Sequence, residues 1–388
     1  MKRTYAAAVA LAVLLTLCVV PVRAAQVVET VAGAPAVEAP SVLLMEKETG
    51  TVLYEQNSHE KREPASVTKV MTLLLVMEAI DEGRLNYDDV VTVSAHASSM
   101  GGSQVYMKEN EQMSVRDMLK AVAVVSANDG SVALAEHLAG SEEAFVARMN
   151  QRAAQLGMQD THFVNCTGLP AAGHLTSAHD IAVMSRELML HHPDIRQFTT
   201  IWMDTIRDGA FQLSNTNKLV RFYEGATGLK TGSTDAARYC LSATAERDGM
   251  ELIAVVLGAE TSEKRFETAK SLLNFGFANY TLMDVRPGQA LPPVEVLMGV
   301  EETVQPVLER SSRILVEKSA VEKVTTELKL AADVEAPVEK GQTLGTMIVR
   351  VDGVEREMIP LVADHAVDRL TIGGIFSRFL ELLFMKEK

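Results

Sequence analysis

Three kinds of apolar pattern divide the chain. After the basic start Met1-Lys2-Arg3, residues Ala6 to Val20 carry no charge at all. From residue 41 to 280 apolar positions recur with strand and helix periods, and beyond 280 short Val-rich runs alternate with Pro and Gly. Within the middle part, Ser41–Lys47 and Thr51–Gln56 flank Glu48-Thr49-Gly50 and predict a hairpin. Residues 64–80 are apolar on almost every side, which predicts a buried helix opened by Pro64. Ser114–Ala127 predicts a helix capped by Ser114 with Asp117 at its third position, and Met118, Leu119, Val122 and Val125 form its apolar face. Ser126-Ala127-Asn128-Asp129-Gly130 interrupts the pattern, which resumes over Ser131–Leu138.

Glu142–Gln155 and Thr176–His191 read as further helices, the second with Ile181, Met184 and Leu188 on one face. The order is mixed past His191-His192-Pro193 until Lys230-Thr231-Gly232 opens a run of strands. Arg238–Ala245 and Met250–Ala259 flank the hairpin signal Asp248-Gly249, and Ser262–Tyr280 is amphipathic. The order strand, strand, helices, strand, strand, helix predicts an α/β (α+β) domain: an antiparallel sheet shared by the two ends of the segment, with a helical block inserted. Pro287-Gly288, Pro292-Pro293, Pro337 and Gly341 then punctuate a small all-β domain. In the last stretch Leu370, Ile375, Phe376, Phe379, Leu380, Leu383 and Phe384 share one side, the pattern of an amphipathic helix lying on a membrane surface; packing on its own domain is the alternative.

The expected organisation is therefore a secretory signal peptide over 1–24, a spacer over 25–40 and a catalytic domain over 41–280. A β-rich domain over 281–365 and an anchor helix over 366–388 follow. The leader rests on the basic start, an apolar run too short to span a bilayer, and small residues Val22 and Ala24 before the cleavage point. Its loss removes Lys2, Arg3 and Arg23 and takes the formal net charge from −14 to −17. That acidity argues against a nucleic-acid partner. The leader and the anchor helix together predict a place outside the cytoplasm, at the outer face of the cytoplasmic membrane. Cys18 leaves with the leader; Cys166 and Cys240 sit in apolar contexts, where a disulfide and two buried thiols both remain open.

Chemistry enters at residue 66. Lys69 lies three residues after Ser66 in the buried helix, so its amine and the Ser66 hydroxyl share a face. A desolvated lysine loses basicity and can act as a general base, which makes Ser66 a candidate nucleophile. Ser58 to Lys61 repeats the spacing in a polar stretch with no buried helix behind it, so the spacing alone is weak. Ser126 and Asn128, at a break between helices, can face a cleft: Ser126 to pass a proton, Asn128 to meet a substrate peptide group. Lys230 offers a positive charge, Thr231 a hydroxyl for a terminal carboxylate, and Gly232 room for close approach. Backbone N–H groups of Ser66 and Ser233 are the candidate oxyanion donors. His174 and His179 are five apart and no His-Glu-x-x-His occurs, so neither metal nor other cofactor is expected.

Pro64-Ala65-Ser66-Val67-Thr68-Lys69, Ser126-Ala127-Asn128 and Lys230-Thr231-Gly232, in this order, resemble the low-molecular-mass penicillin-binding proteins that act as serine-type D-alanyl-D-alanine carboxypeptidases. The resemblance covers about residues 36–280, including Phe163–Leu169 and Tyr239-Cys240-Leu241, and a β domain followed by an amphipathic anchor is also that family's layout. It implies the serine β-lactamase/transpeptidase-like fold and removal of the terminal D-alanine from peptidoglycan stem peptides through an acyl-enzyme on Ser66. It further implies covalent inhibition by β-lactams, and places Arg265 near the substrate carboxylate; a solvated helix face is the other reading of Arg265. The second motif reads Ala-Asn where many β-lactamases have Asp-Asn, and no downstream Glu-x-x-x-Asn follows, which disfavours a β-lactamase. A β-lactam-binding sensor or scaffold of the same fold stays open.

Overall fold

The computed structural model describes residues 33–310 and 312–384; the expected leader and the first part of the spacer lie outside the described residues. The first two strands, β1 (Ser41–Glu46) and β2 (Val52–Gln56), form the expected hairpin. A 3-10 turn over Ala65–Thr68 leads into α1 (Lys69–Asp81). Two short antiparallel strands, β3 (Val90–Thr92) and β4 (Gln112–Ser114), bracket a loop, and four helices follow: α2 (Val115–Val125), α3 (Asn128–Ala139), α4 (Glu142–Gln155) and α5 (Ala178–His191). A small hairpin of β5 (Met203–Ile206) and β6 (Phe211–Ser214) precedes β7 (Ala226–Thr234), β8 (Arg238–Arg247) and β9 (Met250–Ala259). The segment closes with α6 (Ser262–Asn279).

The principal sheet is antiparallel throughout, in the order β2-β1-β9-β8-β7. Its centre joins the two ends of the segment, with Leu43 opposite Val255 and Leu44 opposite Ala254. Successive strand residues face opposite sides. Leu43, Met45, Ile253, Val255 and Leu257 therefore pack into the helical block, and Val42, Leu44, Leu252, Ala254 and Val256 pack on Phe266, Ala269, Leu272, Leu273 and Phe277 of α6. With both faces covered, β1 and β9 are apolar in unbroken runs instead of alternating.

Helix α1 runs through the middle of the helical block. Val70, Met71, Leu73, Leu74, Val76 and Met77 are all fully buried, and each such side chain contributes roughly 1.5–3 kcal/mol of apolar transfer. That surplus is what allows one buried ammonium at the helix start. The first turn differs from the expected helix: it is 3-10, with no side-chain cap and with Ala65 at φ +48°. Helices α2, α4 and α5 have serine caps, whereas α3 follows Ala127 with no side-chain cap. Ser114, Ser141 and Ser177 accept the N–H groups of Asp117, Ala144 and Asp180.

The β-rich part begins without a linker, because β10 (Tyr280–Asp284) continues directly from α6. Then come β11 (Val294–Leu297), β12 (Thr303–Val304), β13 (Pro306–Leu308), β14 (Arg313–Glu317), β15 (Val324–Leu330), β16 (Asp333–Glu335), β17 (Thr343–Val351) and β18 (Val354–Ala363). They form a four-stranded sheet β13-β18-β17-β15, a three-stranded sheet β12-β11-β16 and the pair β10-β14. Met347, Val349, Ile359 and Leu361 centre one core, and Val294, Val296, Val338 and Val367 a smaller one. Helix α7 (Ile372–Phe384) follows, with Ile372, Phe376 and Phe379 well exposed. No described helix is long and apolar enough to cross a membrane.

Candidate active site

Ser66 sits on the 3-10 turn, half-buried, while Lys69 at the first position of α1 is completely buried. Lys69 Nζ donates to Ser66 Oγ at 3.0 Å, to Asn128 Oδ1 at 2.6 Å and to the Thr167 carbonyl at 2.6 Å. All three protons of the ammonium are thus satisfied by neutral acceptors. Burial pushes the Lys69 pKa down from 10.5 to about 7, against a smaller upward pull from Cys166 and Asp129. A pKa so lowered brings the neutral amine, whose lone pair can take the serine proton, into the neutral pH range, 3.0 Å from the serine oxygen.

The second motif lies at the expected helix break. Ser126 ends α2 with left-handed backbone, φ +66°, and Asn128 opens α3. The Ser126 hydroxyl is buried and has no hydrogen-bond partner among the described residues. Asn128 uses its carbonyl for Lys69 and its amide for the Gly101 carbonyl at 2.6 Å, while its backbone N–H binds the Ser103 carbonyl. The next residue, Asp129, is fully buried and accepts the N–H groups of Val105 and Met107. It holds the loop that carries Val105 and Met107, and its charge pulls the Lys69 pKa up.

Strand β7 brings the third motif alongside the 3-10 turn. Gly232 is required there: a Cβ at this position would lie 2.8 Å from the Pro64 carbonyl and 2.8 Å from the Ser66 backbone nitrogen. Ser233, next along the strand, is exposed. Lys230 is buried and, among the described residues, donates only to the Thr231 carbonyl, at 3.0 Å. Its pKa is driven well below 10.5 by burial first, then by the Lys69 and Arg265 cations. Thr231 Oγ1 pairs with Thr216 Oγ1 at 2.7 Å.

Arg265 does not lie on a solvated helix face. It is buried near the start of α6, and its guanidinium donates to the carbonyls of Gly232 and Cys240 at 3.2 Å each and to Ser262 Oγ at 3.1 Å. Burial lowers its pKa to about 10. Among the described residues none of Lys69, Lys230 and Arg265 makes an ion pair with a carboxylate. Three buried cations without a counter-ion are costly on their own, and the arrangement favours an anionic ligand.

Several parts of the site carry no signal in the motifs. The Thr167 carbonyl and Gly168 come from the turn Asn165–Leu169, which Asn165 shapes by accepting the N–H groups of Thr167 and Gly168. Gly168 has φ +80°, and a Cβ there would fall 1.8 Å from the Ala65 carbonyl oxygen. His174 braces the same junction. Its Nδ1 accepts the Val164 N–H at 3.1 Å, so Nε2 carries the proton and donates to Thr68 Oγ1 at 2.8 Å. Burial lowers its pKa to about 4, which keeps it neutral. In the sequence the turn entered only through the resemblance over Phe163–Leu169, and His174 only as half of a histidine pair with the wrong spacing for a metal site. Cys166 and Cys240 are both free and buried, and burial raises both thiol pKa values.

Comparison with known proteins bears on this geometry. The family described as D-alanyl-D-alanine carboxypeptidase, peptidase S11, matches residues 28–261, and the C-terminal domain of penicillin-binding protein 5 matches residues 285–369. The chain is 43% identical to D-alanyl-D-alanine carboxypeptidase DacF of Bacillus subtilis over 331 residues, covering 84% of this chain and 85% of that protein. Penicillin-binding protein 5 from Haemophilus influenzae superposes with a TM-score of 0.76 at 30% identity, covering 87% of this chain and 99% of that one. The ampicillin-bound penicillin-binding protein D2 from Listeria monocytogenes has a TM-score of 0.58 at 35% identity, covering 63% of this chain and all of that one.

Proposed function

Because the chain belongs to the peptidase S11 family of D-alanyl-D-alanine carboxypeptidases, we propose that its cleft performs serine acyl transfer on the D-alanyl-D-alanine ends of peptidoglycan stem peptides, with Ser66 as nucleophile and Lys69 as base. One observation carries the assignment of roles: an amine with its pKa lowered to about 7 stands 3.0 Å from the Ser66 hydroxyl.

Ser66 Oγ attacks the carbonyl carbon of the penultimate D-alanine as its proton passes to Lys69 Nζ. The carbonyl oxygen gathers charge opposite the N–H groups of Ser66 and Ser233. The C–N bond to the terminal D-alanine breaks, and the leaving nitrogen takes its proton from Lys69 through the otherwise unpartnered Ser126 hydroxyl. Asn128 meets the stem peptide backbone. Lys230, Thr231 and Arg265 provide the positive and donor groups for the terminal carboxylate, the anion these buried cations lack. Water deprotonated by Lys69 then cleaves the Ser66 ester and returns the shortened stem. A β-lactam acylates the same oxygen, but its leaving nitrogen stays tethered in the opened ring and obstructs that water.

The test is D-alanine release from diacetyl-Lys-D-Ala-D-Ala by the leaderless protein. Ser66→Ala is expected to lower release by about a thousandfold or more and to abolish the covalent penicillin adduct. A parent protein that keeps a penicillin adduct on Ser66 yet releases no D-alanine would instead be a sensor or scaffold. Rapid turnover of that adduct would favour a β-lactamase.

Export and peripheral anchoring at the outer membrane face complete the proposal. They are supported by the basic-apolar N-terminus and by the exposed Ile372, Ile375, Phe376 and Phe379 of α7. The leaderless chain is expected to co-sediment with phosphatidylethanolamine/phosphatidylglycerol vesicles. Phe376→Ser with Phe379→Ser should lower partitioning at least about tenfold, since each buried Phe contributes roughly 1.5–3 kcal/mol. A chain that stays in the supernatant would remove the anchor.

A further inference from the structure

A hydroxyl–hydroxyl contact 2.7 Å long joins Thr231 of the third motif to Thr216, which lies outside every motif named above. Thr216 stands between two buried asparagines that fix the backbone on either side of it. The Asn215 side chain donates to the Ile201 carbonyl at 2.6 Å, and its N–H binds the Trp202 carbonyl. The Asn217 side chain donates to the Gly228 carbonyl at 2.8 Å. The Thr216 N–H itself binds the Val124 carbonyl, two residues before Ser126. A solvent-facing threonine is thus tied to the helix that ends in Ser126 and to the strand that carries Lys230, with its hydroxyl aimed at Thr231.

A hydroxyl has one proton and two lone pairs. A substrate carboxylate only accepts, so Thr231 must spend its proton on it. The Thr216–Thr231 contact can then persist only if Thr216 is the donor. Donation into Thr231 Oγ1 also polarises the Thr231 O–H and strengthens its bond to the anion. We infer that Thr216 is a positioning residue for substrate recognition: it donates to Thr231 Oγ1 and so holds the Thr231 proton toward the terminal carboxylate. The inference rests on the carboxypeptidase reading for the identity of the carboxylate.

The experiment uses the leaderless full chain. Thr216→Val keeps the shape and removes the donor; Thr216→Ser restores it. Thr216→Val is expected to raise KM for diacetyl-Lys-D-Ala-D-Ala about five- to tenfold, the range of one neutral hydrogen bond. Its kcat should stay within twofold, and Thr216→Ser should return KM to within twofold of the parent. In a Thr231→Val background, Thr216→Val should add nothing, because its route to the substrate has gone. An unchanged KM in Thr216→Val, equal losses in the Val and Ser variants, or an additive double variant would overturn the inference. If the parent releases no D-alanine, the carboxypeptidase reading fails separately. Acylation by benzylpenicillin and by its methyl ester then decides: a Thr216→Val penalty seen for the acid and absent for the ester supports the role, and any other result, including no acylation at all, overturns it.

Discussion

A Lys69→Met chain will acylate with benzylpenicillin about a thousandfold more slowly than the parent, the usual contribution of a positioned general base. In the parent, kcat/KM should climb about tenfold per pH unit below 7 and level off above it. The sign follows from which form does the work. Only the neutral amine can take the Ser66 proton, and burial lowers the Lys69 pKa from 10.5 to about 7, so each unit below that value removes nine-tenths of the competent form. Methionine preserves the apolar stem and deletes the titrating amine, so the residual rate of the variant should lose this rising limb. Acylation rates by stopped flow between pH 5 and 9 check both statements. A Lys69→Met chain that still shows an inflection near 7 would assign the titration to another group and end the role of Lys69 as base.

Gly168→Ala is expected to lose about 2–5 kcal/mol of stability, summing left-handed strain of roughly 1–2 kcal/mol with overpacking of roughly 1–3 kcal/mol. Acylation should fall at least about a hundredfold, the usual cost of a 1 Å misplacement. The two effects have one origin. With φ at +80°, the new methyl would sit 1.8 Å from the Ala65 oxygen and 2.9 Å from Thr68 Oγ1. Ala65 immediately precedes Ser66 and is itself held at φ +48°, so the turn has little freedom to absorb the shift without carrying the serine with it. Urea unfolding and penicillin acylation on the same preparation measure both. Wild-type behaviour in both would show that the turn at Gly168 does not constrain Ser66.

The legible parts of the fold were those in which a residue's role is local. Ser114 with Asp117 marked the start of α2, and the polar break at Ser126–Asn128 marked its end, because caps and breaks act within one turn of helix. Ser66 and Asn128 meet at the Lys69 amine, and Gly232 of the third motif backs onto the Ser66 nitrogen. Contributions made by backbone or across long separations were silent. The carbonyls of Thr167 and Gly101 that receive Lys69 and Asn128 have no residue identity to read. Asp129 shows in the sequence only as part of a break in a helical pattern, yet its carboxylate holds Val105 and Met107. Arg265 sits in an amphipathic stretch whose periodicity cannot say which charged residue folds inward. The 3-10 turn before α1 was also hidden, since an apolar run reads the same whether its first turn is α or 3-10.

The central pairing of β1 with β9 has a kinetic consequence. Ser41 meets Leu257, and the intervening chain holds the whole helical block. Closing so large a loop delays sheet formation until late, and topologies dominated by such distant pairings fold slowly. The turn that carries Ser66 is made early, but β7, which carries Lys230, is joined through β8 and β9 to β1 only after residue 259 has been synthesised. A partly made chain therefore holds a serine without the cleft that activates it, and the nucleophile is assembled last.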